Sequence, residues 1–437
     1  MNRRELLRSL GLGIGAAMVA PAIPRFAIAR AQAPATPGKH PWYELNMMAD
    51  PILDQVLLFY LDRAWHGASD IGECLETASR VIPDDPYSWA REWTRTAERL
   101  RVQADHVQAR GHALSASELS LRAATYYRAA LHRHPEPADP DVRSLARRAV
   151  EQFERHLLLG NLLARPVRIP YEGTTLPGLF YRSPHAPRRA PILIAHQGRD
   201  AWAEDCQYIA EGANKRGIHC LLFDGPGQGK TLRLQGLPFR PDWEKVITPI
   251  VDYAIRTLGI DAERIALLGI SMGGILAPRA AALEKRLKVL IANPGVVNWA
   301  DIFANFFSAI DPKLPALAEA NPAAFDATIA GIARQVPLVE WGVKDTLWKH
   351  GVKTPSALMQ DVKRYDNTSL IPRITAPTLV MDGTVDEWAQ GQRFHDLLRA
   401  PKTFMQFTPA DAAETHVQTG ATALGSQRML DWLEENI

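Results

Sequence analysis

Ile265 to Pro278 reads I-A-L-L-G-I-S-M-G-G-I-L-A-P. The G-x-S-x-G at Gly269, Ser271 and Gly273 closes a short apolar run and opens an Ala-rich segment. That is the pattern of a nucleophile elbow, a strand-to-helix turn so tight that its serine takes up strained backbone geometry. Side chains at the two glycine positions would collide with neighbouring backbone. The Ser271 hydroxyl is thereby held clear of the strand, at a helix N-terminus that favours developing negative charge. The competing reading, a structural turn serine, does not account for the strand-turn-helix context.

A serine is a weak nucleophile until a neutral imidazole takes its proton, and that imidazole needs a carboxylate to fix its tautomer. Elbows of this kind belong to α/β-hydrolases, where the chain order is Ser, then acid, then His. Three histidines follow Ser271: His350, His395 and His416. The acid belongs in a loop after a strand, and Pro377 to Met381 reads as that strand, followed by Asp382-Gly383-Thr384-Val385-Asp386. Asp382 stands at the strand end and ties down the loop. Asp386, beyond the glycine, can lean toward the histidine and is the expected acid. His350 precedes the acid and drops out on order. His395 lies in an amphipathic helix pattern from Gly391 to Leu398. His416 follows a second strand, Thr403 to Phe407, in a polar loop before a C-terminal helix, which is the place of the base.

An oxyanion hole needs two backbone N–H groups, one from the residue after the nucleophile, Met272, and one from the loop after an earlier strand. Pro191 to Ala195 is that strand and His196-Gln197-Gly198-Arg199-Asp200 the loop, so Gln197 or Gly198 supplies the second donor. His196 either orients this loop or lines the pocket. Asp224-Gly225-Pro226-Gly227-Gln228-Gly229-Lys230-Thr231 ends like a phosphate-binding P-loop, but that motif requires glycine where Asp224 stands. A D-x-x-G-x-G turn accounts for every residue of it, and nucleotide binding is not expected.

The N-terminus pairs Arg3 and Arg4 before a Gly/Ala-rich, weakly apolar stretch, and Ala29-Arg30-Ala31 has the small residues of a cleavage site. This reads as a twin-arginine export signal over residues 1–31, and implies a periplasmic or secreted product. The apolar run is shorter than the ~20 residues of a spanning helix and is broken by glycine and proline. No cysteine lies beside it, so no lipid or membrane anchor is expected. Removing residues 1–31 takes away five arginines and one glutamate, leaving 45 basic against 47 acidic residues. The basicity therefore belongs to the signal, and no nucleic-acid partner is expected. Three cysteines, Cys74, Cys206 and Cys220, make no disulfide framework; they read as buried thiols, with a Cys206–Cys220 bridge as the alternative. No cysteine–histidine cluster has metal-ligand spacing, and no cofactor is expected.

Residues 32–41 are Pro/Ala-rich and read as disordered. Residues 42 to about 165 carry helical patterns: Pro51 to Trp65 with one apolar face, a capping box at Ser115 to Glu118 opening Leu119 to His132, and Asp139-Pro140 opening another helix. The expected organisation is a helical N-terminal domain over 32–165 and an α/β-hydrolase domain over 166–437. The latter begins with an antiparallel pair, Val167 to Tyr171 and Leu176 to Arg182, before strands alternate with helices. Ser271 and Asp386 stand 115 residues apart, where a strand–helix unit needs only about 40. The surplus, about 298–367, is a helical lid. Most of its aromatics pack the lid itself; Phe303 and Trp341, with Trp202 from the loop after the first parallel strand, are candidates to line an apolar pocket. A homodimer interface is the alternative use of the added helices.

The segments A-P-T-L-V-M-D-G-T-V-D-E-W-A-Q-G-Q, P-K-T-F-M-Q-F-T-P-A-D-A-A-E-T-H-V-Q-T-G and Q-R-M-L-D-W-L, together with L-S-L-R-A-A-T-Y-Y-R-A-A, resemble the FrsA-like α/β-hydrolases. This family includes 2,6-dihydroxypseudooxynicotine hydrolase and fungal hydrolases that shorten polyketide pigment precursors. The resemblance covers about 50–430 and is most specific in its last 60 residues. It implies a helical domain packed over the hydrolase core with the site between them, and places the triad on Ser271, Asp386 and His416. It also implies carbon–carbon cleavage beside a carbonyl in some members and ester hydrolysis in others. The nicotine-pathway enzyme uses a lid glutamate; no glutamate matches here, and Asp301 is the carboxylate near that place. The export signal departs from those intracellular relatives.

The sequence thus reads as an exported serine hydrolase for a small apolar or aromatic carbonyl compound. Ester or related acyl hydrolysis comes first, carbon–carbon cleavage of a β-diketone or acyl-phenol second. A peptidase or a non-catalytic binding protein on the same scaffold ranks lower. Arg3→Lys with Arg4→Lys is expected to leave the precursor in the cytoplasm, while the wild-type mature chain starts near Gln32. Cell fractionation with N-terminal sequencing checks this, and unchanged periplasmic delivery of the double variant would point to the general secretory route instead.

Overall fold

A computed structural model describes residues 41–83 and 85–437. The export signal expected over residues 1–31 and the stretch up to residue 40 lie outside the described residues. Helices come first: α1 (Pro51–Leu61), α2 (Ile71–Ser79), α3 (Ser88–Ala109), α4 (Ala113–His132) and α5 (Pro140–Leu159). Asp50 caps α1 by accepting the N–H of Ile52, and Asp139 caps α5 through Asp141. The capping box expected at Ser115 is not used, because α4 begins one turn earlier at Ala113. Ser117 is buried inside that helix, where its hydroxyl donates to the carbonyl of His156 on α5. Trp89, Trp93, Tyr60, Tyr126 and Tyr127 fill the core between these helices.

Eight strands follow in the order β1-β2-β4-β3-β5-β6-β7-β8. β1 (Ala164–Tyr171) and β2 (Thr174–Tyr181) are antiparallel, and β2 pairs antiparallel with β4 (His219–Phe223). β3 (Ile192–His196), β4, β5 (Ile265–Ile270), β6 (Val289–Asn293), β7 (Thr378–Gly383) and β8 (Lys402–Phe407) run parallel. β3 to β6 are buried at every position. They read as continuous apolar runs because helices cover both faces of a parallel sheet. On one face lie α8 (Glu244–Thr257), α9 (Gly273–Leu283) and the lid; on the other lie α6 (Gln207–Lys215) and α16 (Thr422–Asn436). This is the α/β-hydrolase architecture, with a helical N-terminal region.

Between β6 and β7 the chain makes the helices α10 (Trp299–Ile310), α11 (Leu314–Ala320), α12 (Pro322–Ala333), α13 (Pro337–His350) and α14 (Pro355–Val362). Phe303, Phe307, Phe325 and Ile329 pack into the core cluster that continues from the sheet. All three cysteines are buried free thiols, so no Cys206–Cys220 bridge forms.

The N-terminal helices are fixed to the hydrolase core by a buried ion pair. Arg128 on α4 donates through Nε to Asp205 at 2.9 Å, with side chains 2% and 3% exposed. Asp205 also accepts the N–H of Trp202, whose indole is buried among the N-terminal helices. Losing one partner of such a pair strands the other charge away from water. Arg128→Met is therefore expected to cost about 3–5 kcal/mol of stability, read as a lowered melting temperature; a melting curve that matches wild type would show that the pair does not hold these regions together.

Candidate active site

Ser271 follows β5 with φ at 59°, in the left-handed region, and opens α9. The neighbouring glycines show why the turn takes this form. A Cβ on Gly269 would lie 2.1 Å from the Gly273 carbonyl oxygen, and one on Gly274 would lie 1.8 Å from that of Pro294. Strand, helix and the chain after β6 therefore meet with backbone against backbone. The Ser271 N–H donates to the Asn293 carbonyl at 2.7 Å, which fixes the turn to the end of β6.

His416 lies in the segment after β8. Its Nε2 is 2.9 Å from Ser271 Oγ, and its Nδ1 is 2.8 Å from each carboxylate oxygen of Asp386. The carboxylate makes Nδ1 the protonated nitrogen, so Nε2 is left to accept the hydroxyl proton of Ser271. The His416 loop is held from two sides. Gln418 and Asn293 exchange side-chain amide hydrogen bonds, and Gly383 approaches so closely that a Cβ there would lie 2.3 Å from the Glu414 oxygen. Asp386 closes a turn onto the Gly383 carbonyl, receives the Trp388 N–H at 3.0 Å, and has a fully buried side chain.

Burial disfavours the His416 imidazolium, but the charge and hydrogen bond of Asp386 outweigh it and raise the pKa above the ordinary value. Asp382 has the opposite fate. Burial, and then the charge of Asp386, push its carboxyl up to about 7. It sits against Gly391 at the head of α15 (Gly391–Leu397), where it tethers the acid loop.

Gly198 lies against the nucleophile. A Cβ there would come 2.6 Å from both the Met272 nitrogen and Ser271 Cβ. Only glycine leaves open the space between the Gln197–Gly198 loop and the Met272 N–H. His196 is wholly buried, with Nδ1 3.0 Å from the Gln197 carbonyl and Nε2 accepting the Trp243 indole N–H at 3.3 Å. Burial lowers its pKa to about 4, so a neutral ring orients the loop. The P-loop look-alike serves the same loop. Asp224 accepts the N–H groups of Ala203 and Lys230, Lys230 pairs with Glu204 at 2.5 Å, and the Gln228 amide holds the carbonyls of Gln197 and Gly198.

The remaining sequence candidates are placed elsewhere or in packing roles. Asp301 is half-exposed and paired with Arg393 at 2.6 Å. Trp341 lies under the Arg133 guanidinium at 4.3 Å. Phe303 packs edge-on to Trp299 and His350 in the lid core. Trp202 belongs to the N-terminal core. His350 hydrogen-bonds Asp361, and His395 packs beside Phe404.

Asp200 was not foreseen. It holds Lys349 of α13 at 2.5 Å, and Arg199 beside it holds Asp345 of the same helix at 2.5 Å. The charges of Lys349 and Arg199 overcome burial and keep Asp200 well below the usual carboxylate range. The His416 and Asp200 side chains are 32% and 38% accessible. The Asp200 charge acts on His416, and Lys349 ties Asp200 to the lid. The only sequence signal was a carboxylate two residues after Gly198.

The profile of the alpha/beta hydrolase family matches residues 176–417. Among characterised proteins, hydrolase LUC6 of a Fusarium species is 31% identical, over 84% of this chain and 92% of its own length. The 20-hydroxy-prefusarin hydrolase FUS2 of Gibberella moniliformis is 29% identical, over 84% and 86%. The crystal structure of 2,6-dihydroxy-pseudo-oxynicotine hydrolase superposes with a TM-score of 0.67 at 21% identity, covering 86% of this chain and 95% of its own.

The proton relay has a sign that can be tested. If Ser271 is a nucleophile, only a neutral His416 can activate it, and its labelling by a fluorophosphonate should then rise with pH. Because Asp386 raises the His416 pKa, the midpoint should lie above the ordinary histidine value of about 6.5. Asp386→Asn should move it down further than Asp382→Asn does. A midpoint that ignores Asp386→Asn would show that the pair is not coupled in solution.

Proposed function

This chain belongs to the alpha/beta hydrolase family, and from that premise we propose that it is an exported serine hydrolase acting on a small aromatic or apolar acyl compound. The observation that carries this reading is the hydrogen-bonded chain from Ser271 through His416 to Asp386, set beside the Gly198–Met272 gap. Export rests on Arg3, Arg4 and the segment to Ala31.

In the proposed reaction Ser271 Oγ attacks the substrate carbonyl carbon while His416 Nε2 takes its proton. The carbonyl oxygen becomes an oxyanion between the Met272 N–H and an N–H of the Gln197–Gly198 loop. Donors fixed in advance and screened from water are worth far more there than in solution. Asp386 stabilises the imidazolium. Collapse expels the leaving group, which takes the proton from His416, and water then cleaves the acyl enzyme by the same relay. With an ester the leaving group is an alkoxide, and His416 alone suffices to protonate it.

A second reading is hydrolysis of a carbon–carbon bond in a β-diketone or acyl-phenol, the reaction that the sequence resemblance implies for some members. Its leaving group is a carbanion, which must receive a proton as the bond breaks, from His416 or a lid group. The helices added before and within the sheet favour small aryl esters and β-diketones over folded proteins and polyesters as substrates.

Ser271→Ala is expected to lose labelling by a fluorophosphonate probe and to lower kcat on a small aryl ester on the order of a thousandfold or more, with an unchanged melting temperature. A parallel assay on a β-diketone separates the two reactions. Normal turnover by Ser271→Ala would remove the serine mechanism.

A further inference from the structure

Arg233 lies on α7 (Gly229–Gln235) and is 8% exposed. The buried cations near it each have a carboxylate: Arg128 has Asp205, Lys230 has Glu204, Arg199 has Asp345, and Lys349 has Asp200 and Asp345. Arg233 has none. Its Nη1 reaches only the Gly229 carbonyl of its own helix, at 3.4 Å, and its Nε is buried with no partner. Arg63, another buried guanidinium with unpaired nitrogens, differs in having the adjacent Asp62 and the Tyr208 hydroxyl to answer it.

Arg233 is the cation of this group that has no carboxylate in contact. Arg199 and Lys349 take up Asp200 and Asp345 in direct ion pairs, and the charges of Asp345, Asp200 and Asp224 reach Arg233 only from a distance. His132 adds nothing to this, because burial lowers its pKa and keeps it neutral. Asp224 spends its two carboxylate oxygens on the N–H groups of Ala203 and Lys230. A guanidinium held out of water with no carboxylate in direct contact is costly, and an anionic ligand would supply that contact.

The Asp200 charge acts on both Arg233 and His416, which ties Arg233 to the His416 side of the structure. The Arg233 guanidinium lies between the Trp202 ring at 5.2 Å and the Trp348 ring at 5.7 Å. Trp202 is four residues past Gly198, and Trp348 precedes Lys349, which holds Asp200. α7 itself is fastened to the oxyanion loop by Gln228. The N-terminal helices, the lid and the core meet at this point.

We propose that Arg233 binds a carboxylate carried by the substrate and so turns the scissile carbonyl toward Ser271; this rests on the hydrolase reading above. Nε with the adjoining Nη is the edge of a guanidinium that forks onto a carboxylate. The substrate class is therefore an aromatic or acyl compound with an acid group remote from the bond that breaks.

The test compares kcat/KM for 4-acetoxybenzoate and for phenyl acetate, which differ by the remote carboxylate. The wild type should prefer the acid. Arg233→Gln should lower that preference about tenfold or more, the scale of a charged hydrogen bond, and Arg233→Lys should recover part of it. Arg233→Gln should also melt no lower than wild type, because it removes a buried charge that no carboxylate contacts. A wild type without the preference, or a preference unchanged in Arg233→Gln, would overturn the proposal, and a lowered melting point with an unchanged preference would assign Arg233 to packing. If neither ester is cleaved, it is the hydrolase reading that fails. The carboxylate site is then read from thermal shifts with benzoate and benzamide, which need no chemistry, and a benzoate shift no larger than that of benzamide would overturn it.

Discussion

Ser271 holds a backbone conformation that a residue with a side chain avoids, and the surrounding structure exists in the form that keeps it there. A left-handed φ on a serine costs on the order of 1–3 kcal/mol, so the packing around the turn has to over-determine it. Backbone contacts at Gly269 and Gly274 do this from the helix and from the chain beyond β6, while Gly198 closes the third side. The ends of β3, β5 and β6 are consequently locked together at one point. Loops that leave those ends have their starting positions set before any side chain of the site is considered.

Electrostatics then divides labour between similar groups. Asp382 and Asp386 stand four residues apart on one loop, yet burial leaves the first near neutral while the second is paired with His416. The same logic separates His196, neutral and spent on the oxyanion loop, from His416, whose pKa is raised. Buried ion pairs such as Arg199–Asp345 and Lys349–Asp200 contribute little net stability, since desolvation offsets their attraction. Their value is geometric: they hold helix α13 over the loop that carries Gly198.

The parts legible in sequence were those governed by local rules. The elbow, the strands before Asp386 and His416, and the elimination of His350 and His395 all rest on spacing and short-range pattern. These carry over to the hydrogen-bonded chain found in the structure. Proposals that needed long-range placement fared differently. Asp301 and Trp341 were singled out by residue type and by membership of the lid, but which face of a lid helix meets the site depends on packing that no local pattern encodes. Ser115 has the right spacing for a cap, yet tertiary contacts of Ser117 draw the helix start upstream. Asp200 and Arg233 look like ordinary surface charges in sequence. The ion pair of Asp200 with the lid and the burial of Arg233 become visible only when the N-terminal helices and the lid are in place.

The Trp202 indole sits in the core of the N-terminal helices, only four residues from the glycine that faces the nucleophile. A substitution that reshapes the socket of this indole in the helical region therefore reaches the backbone opposite Met272, so the two cannot be altered independently.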